Sequence, residues 1–460
     1  MNNFKIESSI LNHIDYIKDL EFKFYNQIKN EFKMKLENID KEVLESKWRI
    51  DNGWIVHEKN IKRTIITKFG EVTFGRTKYK NKFNGKCSFL ADPYMEIGRY
   101  QRISFSLEKE ILESFGNGES HITVWKKFDK ANLTKRTISN ILSRRSKYKI
   151  ENFILKQKTN IISKDIIYVD IDDCWSTVRY KKNKKWLRLR VAVAHQGKIK
   201  EGKRNKLLNK TAFIKTFIKG VNCNTQDYSF WLKNNLEKQY GDLTKKKIII
   251  CGDGAKWIKE ISEILGCDYV LDKFHLFQKL YLCFPYKKSS KKLFNLYQKA
   301  KEYYDSKNIE ALLNFLIENI DSNINKSLKI KEAIRYIKNN YKGIKNHYEE
   351  WYRGCNAESA VSHLIKSIKG YGAKLYSKNS FEFLINLKIA SINKINISTF
   401  LYEKDKENLE KFIEENKSLK NKNNNIYNTK KFQFIKSANI PILNQKTSGT
   451  NIKIRKLLFS

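Results

Sequence analysis

Apolar residues recur every three or four positions along the first fifty residues, with charged residues between them. This spacing places the apolar side chains on one face of a helix and therefore predicts an amphipathic α-helix. Such a face packs on its own protein more often than on a partner. The positions that carry the pattern are Ile10, Ile14, Ile17, Leu20, Phe24, Ile28, Phe32 and Leu36.

The pattern changes to β-branched residues between Arg63 and Asn81, on both sides of Gly70. This change predicts two strands joined as a hairpin. Further along, 104–118 has the spacing of a helix, and shorter helices are predicted over 120–128 and 135–145, the last with Thr134 as its N-cap. Two short helices across a tight turn are typical of a helix-turn-helix.

The second of these short helices is expected to bury Ile138, Ile141 and Leu142 and to expose cationic and short polar side chains. A recognition helix needs such a face to reach base edges and phosphates. Helical hairpins with a basic face also occur in proteins that do not bind DNA, and that alternative stays open. The residues of this helix predicted to contact DNA are Lys135, Arg136, Ser139, Asn140, Arg144 and Arg145.

Beyond residue 160 the pattern predicts three strands, then a helix, a strand, a helix and a short strand. The predicted strands are 166–171, 186–195, 212–219, 247–251 and 269–271, and the predicted helices are 226–240 and 255–265. Three strands followed by β/α alternation are the layout of a ribonuclease-H-like domain. Helices are also predicted over 276–345, 357–369 and 403–419, and the low complexity of 420–432 indicates a flexible join.

These elements predict an α/β multidomain protein with a ribonuclease-H-like catalytic core. The predicted segments are a helical segment (1–62), a β-hairpin region (63–100), a helix-turn-helix domain (101–150), a catalytic domain (160–395) with a helical insertion (276–345), and a helical and basic tail (396–460).

The net charge narrows the choice of partner. The chain has 91 Lys and Arg against 49 Asp and Glu, a formal charge of +42, and the usual polyanion for so basic a protein is nucleic acid. AT-rich codons also favour Lys, Asn and Ile, so genome composition is an alternative source of charge. However, residues 179–210 hold 13 cations and one acid, Glu201, and codon bias alone would not remove acids. From this cluster Lys184, Lys185, Arg188 and Arg190 are predicted to contact DNA.

The sequence disfavours a membrane protein, a secreted protein and a protein held together by disulfides or zinc. The sequence has no run of 18 apolar residues and no leader-like N-terminus, so we expect neither a membrane protein nor a secreted one but a cytoplasmic one. The seven cysteines are widely spaced, without a Cys-x-x-Cys pair. We expect reduced, mostly buried thiols rather than disulfides or a zinc site.

Three acids stand where a ribonuclease-H-like fold would deliver metal ligands. Asp172 ends the first apolar strand, Asp253 follows a later one between two glycines, and Glu358 opens a predicted helix. Carboxylates from separate elements suit two Mg²⁺ ions about 4 Å apart that cut phosphodiesters. Alternatively, Asp253 is a turn aspartate and Glu358 a helix-capping acid. Asp170 shares a strand face with Asp172 and is the alternative first ligand, whereas Asp173 points the other way.

The sequence resembles bacterial insertion-sequence transposases of the ISLre type, which are distant relatives of Mutator-like DDE transposases. The resemblance covers almost the whole chain, but Asp173 stands where many relatives carry glycine. It rests on the blocks Thr67-Lys-Phe-Gly-Glu-Val-Thr-Phe, Tyr168-Val-Asp-Ile-Asp172, Cys251-Gly-Asp-Gly-Ala-Lys-Trp-Ile258, Leu271-Asp-Lys-Phe-His275 and Asn356-Ala-Glu358-Ser-Ala-Val-Ser-His363.

The resemblance implies a ribonuclease-H-like domain split by a helical insertion, with the DDE roles on Asp172, Asp253 and Glu358. By analogy His275 contacts DNA or supports the site; alternatively it is a structural histidine beside Asp272. A homo-oligomer is also implied, because transposases usually pair two DNA ends.

The resulting hypothesis is a nucleoid-associated DNA transposase that uses two Mg²⁺ ions, with Mn²⁺ as a substitute and no small-molecule cofactor. Its partners would be double-stranded DNA, both the terminal inverted repeats of the element and the target. The alternatives are a catalytically inactive DNA-binding regulator and a ribonuclease-H-like nuclease or resolvase without strand transfer.

Overall fold

A computed structural model describes most of the chain, in two compact units. The first unit comprises Met1–Glu108, Phe128–Asn132 and Leu401–Ser460, and the second comprises Lys109–Lys127 and Leu133–Phe400. The described residues are 16–157, 164–202, 204–221, 224–285, 291–320, 327–356, 364–365, 367–369 and 375–417.

The first unit is built on a β-hairpin. Its strands β1 and β2 pair antiparallel and meet at Thr67 and Gly70, which confirms the predicted hairpin. However, β1 begins at Trp54, a buried core residue, so the predicted helical segment ends at Asp51 and not at residue 62. The elements are α1 (Tyr16–Glu45), α2 (Lys47–Asp51), β1 (Trp54–Thr67), β2 (Gly70–Asn81) and β3 (Cys87–Ser88).

The second half of α1 is more buried in its own unit than the first half. There, Leu36 and Val43 are buried, and the Asp40 carboxylate accepts hydrogen bonds from the Thr77 amide (3.0 Å) and hydroxyl (2.6 Å). In the first half, Ile17 and Phe24 are 73% and 56% exposed. Tyr25 nevertheless contacts the hairpin unit, because its ring lies 6.2 Å from that of Phe69 and its hydroxyl accepts a 3.4 Å hydrogen bond from Lys130. The expectation that the apolar face packs on its own protein is therefore confirmed in part, and Ile10 and Ile14 lie outside the described residues.

The predicted helices before residue 150 are confirmed. Thr134 caps its helix through a 3.1 Å hydrogen bond from the Thr137 amide. Ile138, Ile141 and Leu142 are buried, as the spacing predicts. The helices are α3 (Phe105–Gly116), α4 (His121–Lys127), α5 (Lys135–Arg145) and α6 (Ile150–Lys156), with a 3₁₀ turn at Asp129–Ala131.

A five-stranded mixed sheet forms the centre of the second unit. Its order is β10-β9-β4-β5-β8, in which β4, β5 and β8 are antiparallel neighbours and β4, β9 and β10 are parallel. The five predicted strands are confirmed, although β4 continues nine residues past its predicted end at Ile171. The strands are β4 (Ile166–Tyr180), β5 (Asn183–His195), β8 (Thr211–Ile218), β9 (Lys247–Gly252) and β10 (Asp268–Leu271).

A separate two-stranded hairpin, β6 (Lys198–Glu201) with β7 (Arg204–Leu207), lies within the basic stretch. The sequence did not predict it, because β6 is largely exposed and has no buried face to impose a period of two.

Helices cover the sheet, and the predicted helical region 276–345 is confirmed in its described part; 286–290 and 321–326 lie outside the described residues. Ile167, Val169 and Ile171 belong to the large core formed with these helices, whereas Tyr168 and Asp170 point to the other face. The helices are α7 (Thr225–Tyr240), α8 (Lys256–Leu265), α9 (Lys273–Cys283), α10 (Lys291–Asp305), α11 (Ile309–Glu318), α12 (Ser327–Asn339) and α13 (Tyr341–Lys345), followed by a 3₁₀ turn at Asn346–Tyr348.

Three further helices follow: α14 (Ser367–Lys369), α15 (Lys378–Ile392) and α16 (Ile397–Lys417). The sequence did not predict α15, which is bound to β8 through a 2.8 Å hydrogen bond from the Ala212 amide to Asn393 Oδ1. Most of the predicted helix at 357–369, and the tail after residue 417, lie outside the described residues. Among the described helices, none has a stretch both long and apolar enough to span a bilayer.

Candidate active site

The acids Asp172 and Asp253 follow the point where the parallel pairing of β4 with β9 ends. The last pair in the ladder between β4 and β9 is Asp170 with Cys251. Two residues further along the chain stand Asp172, still in β4, and Asp253, in the turn after β9, and both are half-buried. Because adjacent strands lie about 4.8 Å apart, this register brings the two acids to one edge of the sheet. Glu358, the predicted third ligand, lies outside the described residues.

Asp253 is held by the turn that follows β9. Its Oδ1 accepts a 2.9 Å hydrogen bond from the Ala255 amide, and its carbonyl oxygen accepts a 2.6 Å hydrogen bond from the Tyr336 hydroxyl. Gly254 has a φ of +94°, and a Cβ there would lie 3.1 Å from Asn340 and Tyr336. Asp253 is therefore a turn aspartate, as the alternative proposed, and the turn also fixes its carboxylate at the sheet edge.

Asp170 lies in a closed environment on the same face as Asp172. It is 1% exposed, and its Oδ2 lies 3.3 Å from His195 Nε2 and accepts a 3.3 Å hydrogen bond from Asn356. His195 Nδ1 accepts a hydrogen bond from the Gly197 amide (3.1 Å), which leaves the ring hydrogen on Nε2, towards Asp170. This enclosure favours the half-buried Asp172 over Asp170 as a ligand that a substrate can reach.

Two thiols complete the surroundings of Asp170. Ligand atoms of Asp170, Cys251 and Cys355 all lie within 4.8 Å of one another. The hydrogen bond with Cys251, together with burial, raises the pKa of the Cys355 thiol well above its ordinary value, so the thiol stays protonated. Cys251 and Cys355 are 104 positions apart, so no spacing pattern could reveal this cluster. Of the six described cysteines, only Cys251 and Cys283 are fully buried, fewer than expected.

Asp173 points to the opposite face, where it binds arginine. Arg188 Nε donates a 2.7 Å hydrogen bond to Asp173 Oδ2, and Arg190 Nε lies 3.8 Å from Oδ1. Burial raises the pKa of Asp173, and the hydrogen bond from Arg188 opposes this shift. At the position where the resemblance leads us to expect glycine, this chain therefore carries an aspartate that is held by Arg188.

The structure corrects one of the four DNA contacts expected from the basic cluster. Arg190 is 2% exposed and lies 4.0 Å from the centre of the Trp257 ring. The prediction that it contacts DNA is wrong for this conformation, because α8 covers that part of the strand. Lys184 and Lys185 are exposed at the end of the β4–β5 hairpin, and the Arg188 side chain is 28% exposed.

The exposed face of α5 contains most of the residues that the sequence predicted to contact DNA. Arg145 is 5% exposed, and its expected contact with DNA is also wrong, since it lies on the buried side with Ile138, Ile141 and Leu142. Ser139 lies 3.0 Å from His121 Nε2, and Lys135 Nζ lies 4.7 Å from the centre of the Trp125 ring, so both contact α4. The exposed members of the predicted set are Lys135, Arg136, Ser139, Asn140 and Arg144.

The surroundings of His275 agree both with a structural histidine beside Asp272 and with a residue that contacts DNA or supports the site. The buried Asp272 caps α9 through a 3.0 Å hydrogen bond from the Phe274 amide. Burial raises the pKa of Asp272, and the charge of His275 opposes this shift. His275 is thus a neighbour of Asp272, as the structural interpretation expects, and its half-buried ring also remains within reach of a ligand.

A second buried histidine makes the stability of this region depend on pH. His347 Nε2 donates to the Leu271 carbonyl (2.6 Å), and Nδ1 accepts from the Tyr304 hydroxyl (2.8 Å). Burial lowers the pKa of His347 from 6.5 to about 4. The folded protein therefore binds the proton less readily than the unfolded chain. The stabilisation is complete above pH 6.5 and is lost as the pH falls towards 4, by about 3 kcal/mol at most.

We therefore expect the free energy of unfolding in urea to fall more between pH 7 and pH 4.5 in the wild type than in His347→Gln. Glutamine retains a donor for Leu271 but does not titrate. His57→Gln, at an exposed position, should keep the wild-type dependence. Equal losses in all three proteins would contradict the role given to His347.

The residues around Asp170 that sequence reasoning did not single out for the site are His195, Cys251, Cys355 and Asn356. His195 ends a predicted strand, so pairing β5 with β4 in register would have placed it near Asp170. For the other three no pattern indicated a contact with Asp170, although Cys251 and Asn356 open two of the blocks that carry the resemblance, because these contacts join parts of the chain that are distant in sequence.

Comparisons with known proteins identify the family. A model of the uncharacterised protein family UPF0236 matches residues 15–406, so the chain belongs to that family. Relatives from Caldanaerobacter subterraneus subsp. tengcongensis include UPF0236 protein TTE0610/TTE0881/TTE1053/TTE2432, 29% identical over 78% of this chain and 73% of its own length. UPF0236 protein TTE0402 is 29% identical over 78% of this chain and 69% of its own length.

Proposed function

We propose that this member of UPF0236 is a Mg²⁺-dependent DNA transposase of the DDE type, which cuts the ends of an insertion sequence and joins them to target DNA. The observation that carries the proposal is that the parallel ladder between β4 and β9 ends with Asp170 and Cys251, two residues before Asp172 and Asp253. These two strands are the parallel neighbours β9 and β4 within a sheet ordered β10-β9-β4-β5-β8. Three antiparallel strands followed by two parallel ones are the order of ribonuclease-H-like sheets, and we infer that fold here.

The residues at the edge suit Mg²⁺. Asp172 and Asp253 offer carboxylate oxygens, which are hard ligands, and both are half-buried at an edge of the sheet. The cluster of Asp170, Cys251 and Cys355 suits it poorly, because its thiols are protonated and enclosed. When bound, two Mg²⁺ ions would activate the attacking oxygen and stabilise the leaving oxygen. Asp172 and Asp253 would hold them, with Glu358 as the third ligand that the resemblance implies.

Neighbouring residues would position these acids. Tyr336 and the Ala255 amide fix the turn at Asp253, and the pairing of β4 with β9 up to Asp170 holds Asp172 beside that turn. Asn356, which donates to Asp170, stands two residues before Glu358 in the sequence. This contact supports keeping Glu358 in the ligand set.

Cations at the same end of the sheet would hold the DNA backbone. Lys184 and Lys185 are exposed at the hairpin end, where their charges can contact phosphates. Arg136, Asn140 and Arg144 form the exposed face of α5, which would read bases in a groove. Duplex DNA is thus the proposed partner of both surfaces.

The names of the relatives fit a mobile element. One joins four numbered designations of one organism and another joins eleven. We take this as the naming of one protein encoded at several places in a genome, as copies of an insertion sequence would be.

The proposal is tested with end-labelled DNA that carries the sequences flanking the gene, incubated with the protein and Mg²⁺. We expect cleavage at the element ends and products joined to a target plasmid. Cleavage without joining would instead identify a nuclease or resolvase. Tight binding of the flanking DNA without cleavage in Mg²⁺ or Mn²⁺ would identify the regulator, for which the exposed basic face of α5 is sufficient.

A further inference from the structure

Two exposed tryptophans lie on one face of the long β4–β5 hairpin. Trp175 is 44% exposed and Trp186 is 50% exposed. In the antiparallel register Trp175 pairs with Arg188, and Trp186 pairs with Thr177. The two indoles are therefore diagonal neighbours on the same face, a relation in which large side chains come within reach of each other.

The same face presents a fixed cation between aromatic rings. The Arg188 guanidinium lies 5.8 Å from the ring centre of Trp175 and 5.7 Å from that of Trp257. Its hydrogen bond to Asp173 holds it in place. Indole faces and planar guanidinium groups are the surfaces on which nucleic-acid bases stack, and this stacking tolerates any base sequence.

The end of the β4–β5 hairpin carries positive charge, which is complementary to a phosphate backbone. Residues 181, 182, 184 and 185 are lysines, and all four are exposed. A backbone of phosphates that contacts these lysines would pass within reach of the two tryptophans. Exposed apolar rings beside a concentration of positive charge fit a strand with unpaired bases better than they fit a protein partner.

The face that carries the two tryptophans is separated from the proposed active site only by the edge of β4 that extends beyond its pairing with β9. β9 pairs with β4 only up to Asp170, and the next backbone contact on that side is the bridge of Arg179 with Ser377. Within the described chain, no strand covers residues 171–178 there. Trp175 is three residues from Asp172, about 10 Å along the strand. A nucleotide with its phosphate near Asp172 can place its base on the opposite face around this edge.

We propose that Trp175, Trp186 and Arg188 form a base-stacking site for unpaired DNA, next to the acids that would cut it. Its location beside a cleaved strand rests on the proposed function, but binding of single-stranded DNA does not. The site would hold the bases that separate when an element end is opened.

The test is equilibrium binding without divalent ions, by fluorescence anisotropy of labelled oligo(dT) and of a labelled duplex of the same length. We expect Trp175→Ala and Trp186→Ala each to weaken oligo(dT) binding by about tenfold or more, with less than about a twofold change for the duplex. Trp186→Phe should retain most of the affinity, because phenylalanine still stacks. Tyr341→Ala, which removes an aromatic ring that is 38% exposed on α13, is the matched control.

A second measurement does not depend on any variant. An oligonucleotide with 2-aminopurine among its thymines should lose fluorescence when the wild-type protein binds it, because the base stacks on indole. Unchanged oligo(dT) affinity in both alanine variants would overturn the proposal, as would equal weakening for oligo(dT) and duplex, or no quenching. None of these results depends on cleavage, so a protein that stacks bases but fails to cut would contradict the transposase proposal alone.

Discussion

Asp253→Asn is expected to abolish DNA strand cleavage in Mg²⁺ while DNA binding without metal stays within about twofold of the wild type. Asparagine keeps an oxygen that can accept the 2.9 Å hydrogen bond from the Ala255 amide, so the turn should persist. It lacks the charge that binds the cation. Metal-ion stabilisation is worth several kcal/mol in such reactions, so the rate should fall by about a thousandfold or more. We expect the same loss of cleavage, with DNA binding retained, for Asp172→Asn.

The matched control is Asp268→Asn. Asp268 begins β10 at the other end of the same sheet, where it pairs with Lys247 at 3.0 Å, and it is partly exposed. The same chemical change there should leave cleavage within about twofold, because an exposed ion pair contributes little. Full cleavage by Asp253→Asn would refute the active site, and an equal loss in Asp268→Asn would show that the effect is not specific to the edge.

The second large effect is expected from the hairpin lysines. Replacing Lys181, Lys182, Lys184 and Lys185 together by glutamine removes four exposed charges. Each phosphate contact contributes about 0.9 to the slope of log affinity against log salt concentration. The slope for duplex binding should therefore fall by up to about 3.6, and affinity at low salt should fall by about a hundredfold or more. Anisotropy titrations at several salt concentrations measure both quantities.

An equal charge change elsewhere separates specific contacts from genome-driven lysine content. Lys301, Lys331, Lys338 and Lys342 are exposed on α10, α12 and α13, and their replacement by glutamine also removes four charges. We expect the slope to change by less than about 1 in this control. Equal slopes in the two variants would show that the net charge of +42, and not the hairpin, determines binding.

The elements of the second unit were largely predictable because their burial is regular. Ile167, Val169 and Ile171 alternate towards one core, and apolar strands such as β9 leave little choice of structure. The length of β4 was not predictable, because the apolar run ends at Ile171 and Val178 is the only aliphatic side chain buried beyond it in β4. The two tryptophans of the hairpin carried no signal in the sequence, because they lie on its exposed face.

The candidate site was predictable only where a residue follows a strand. Asp253 directly follows β9, and Asp172 follows the apolar run of β4 although the strand itself continues to Tyr180; the pairing of β4 with β9 then determines their proximity. Arg145 and Arg190 were predicted to contact DNA but are buried. Their positive charge suggested the contact, and charge alone does not indicate which side of an element its neighbours cover. The contacts of Asp170 with His195, Cys251 and Asn356 arise from the fold alone.

The placement of metal at the sheet edge is the central claim, and anomalous diffraction from crystals soaked in Mn²⁺ tests it most directly. The account predicts two anomalous peaks about 4 Å apart between the carboxylates of Asp172 and Asp253, both lost in the Asp253→Asn crystal. Ions bound only at Asp170 and the two cysteines, or no ion near Asp172 and Asp253 at millimolar Mn²⁺, would contradict it.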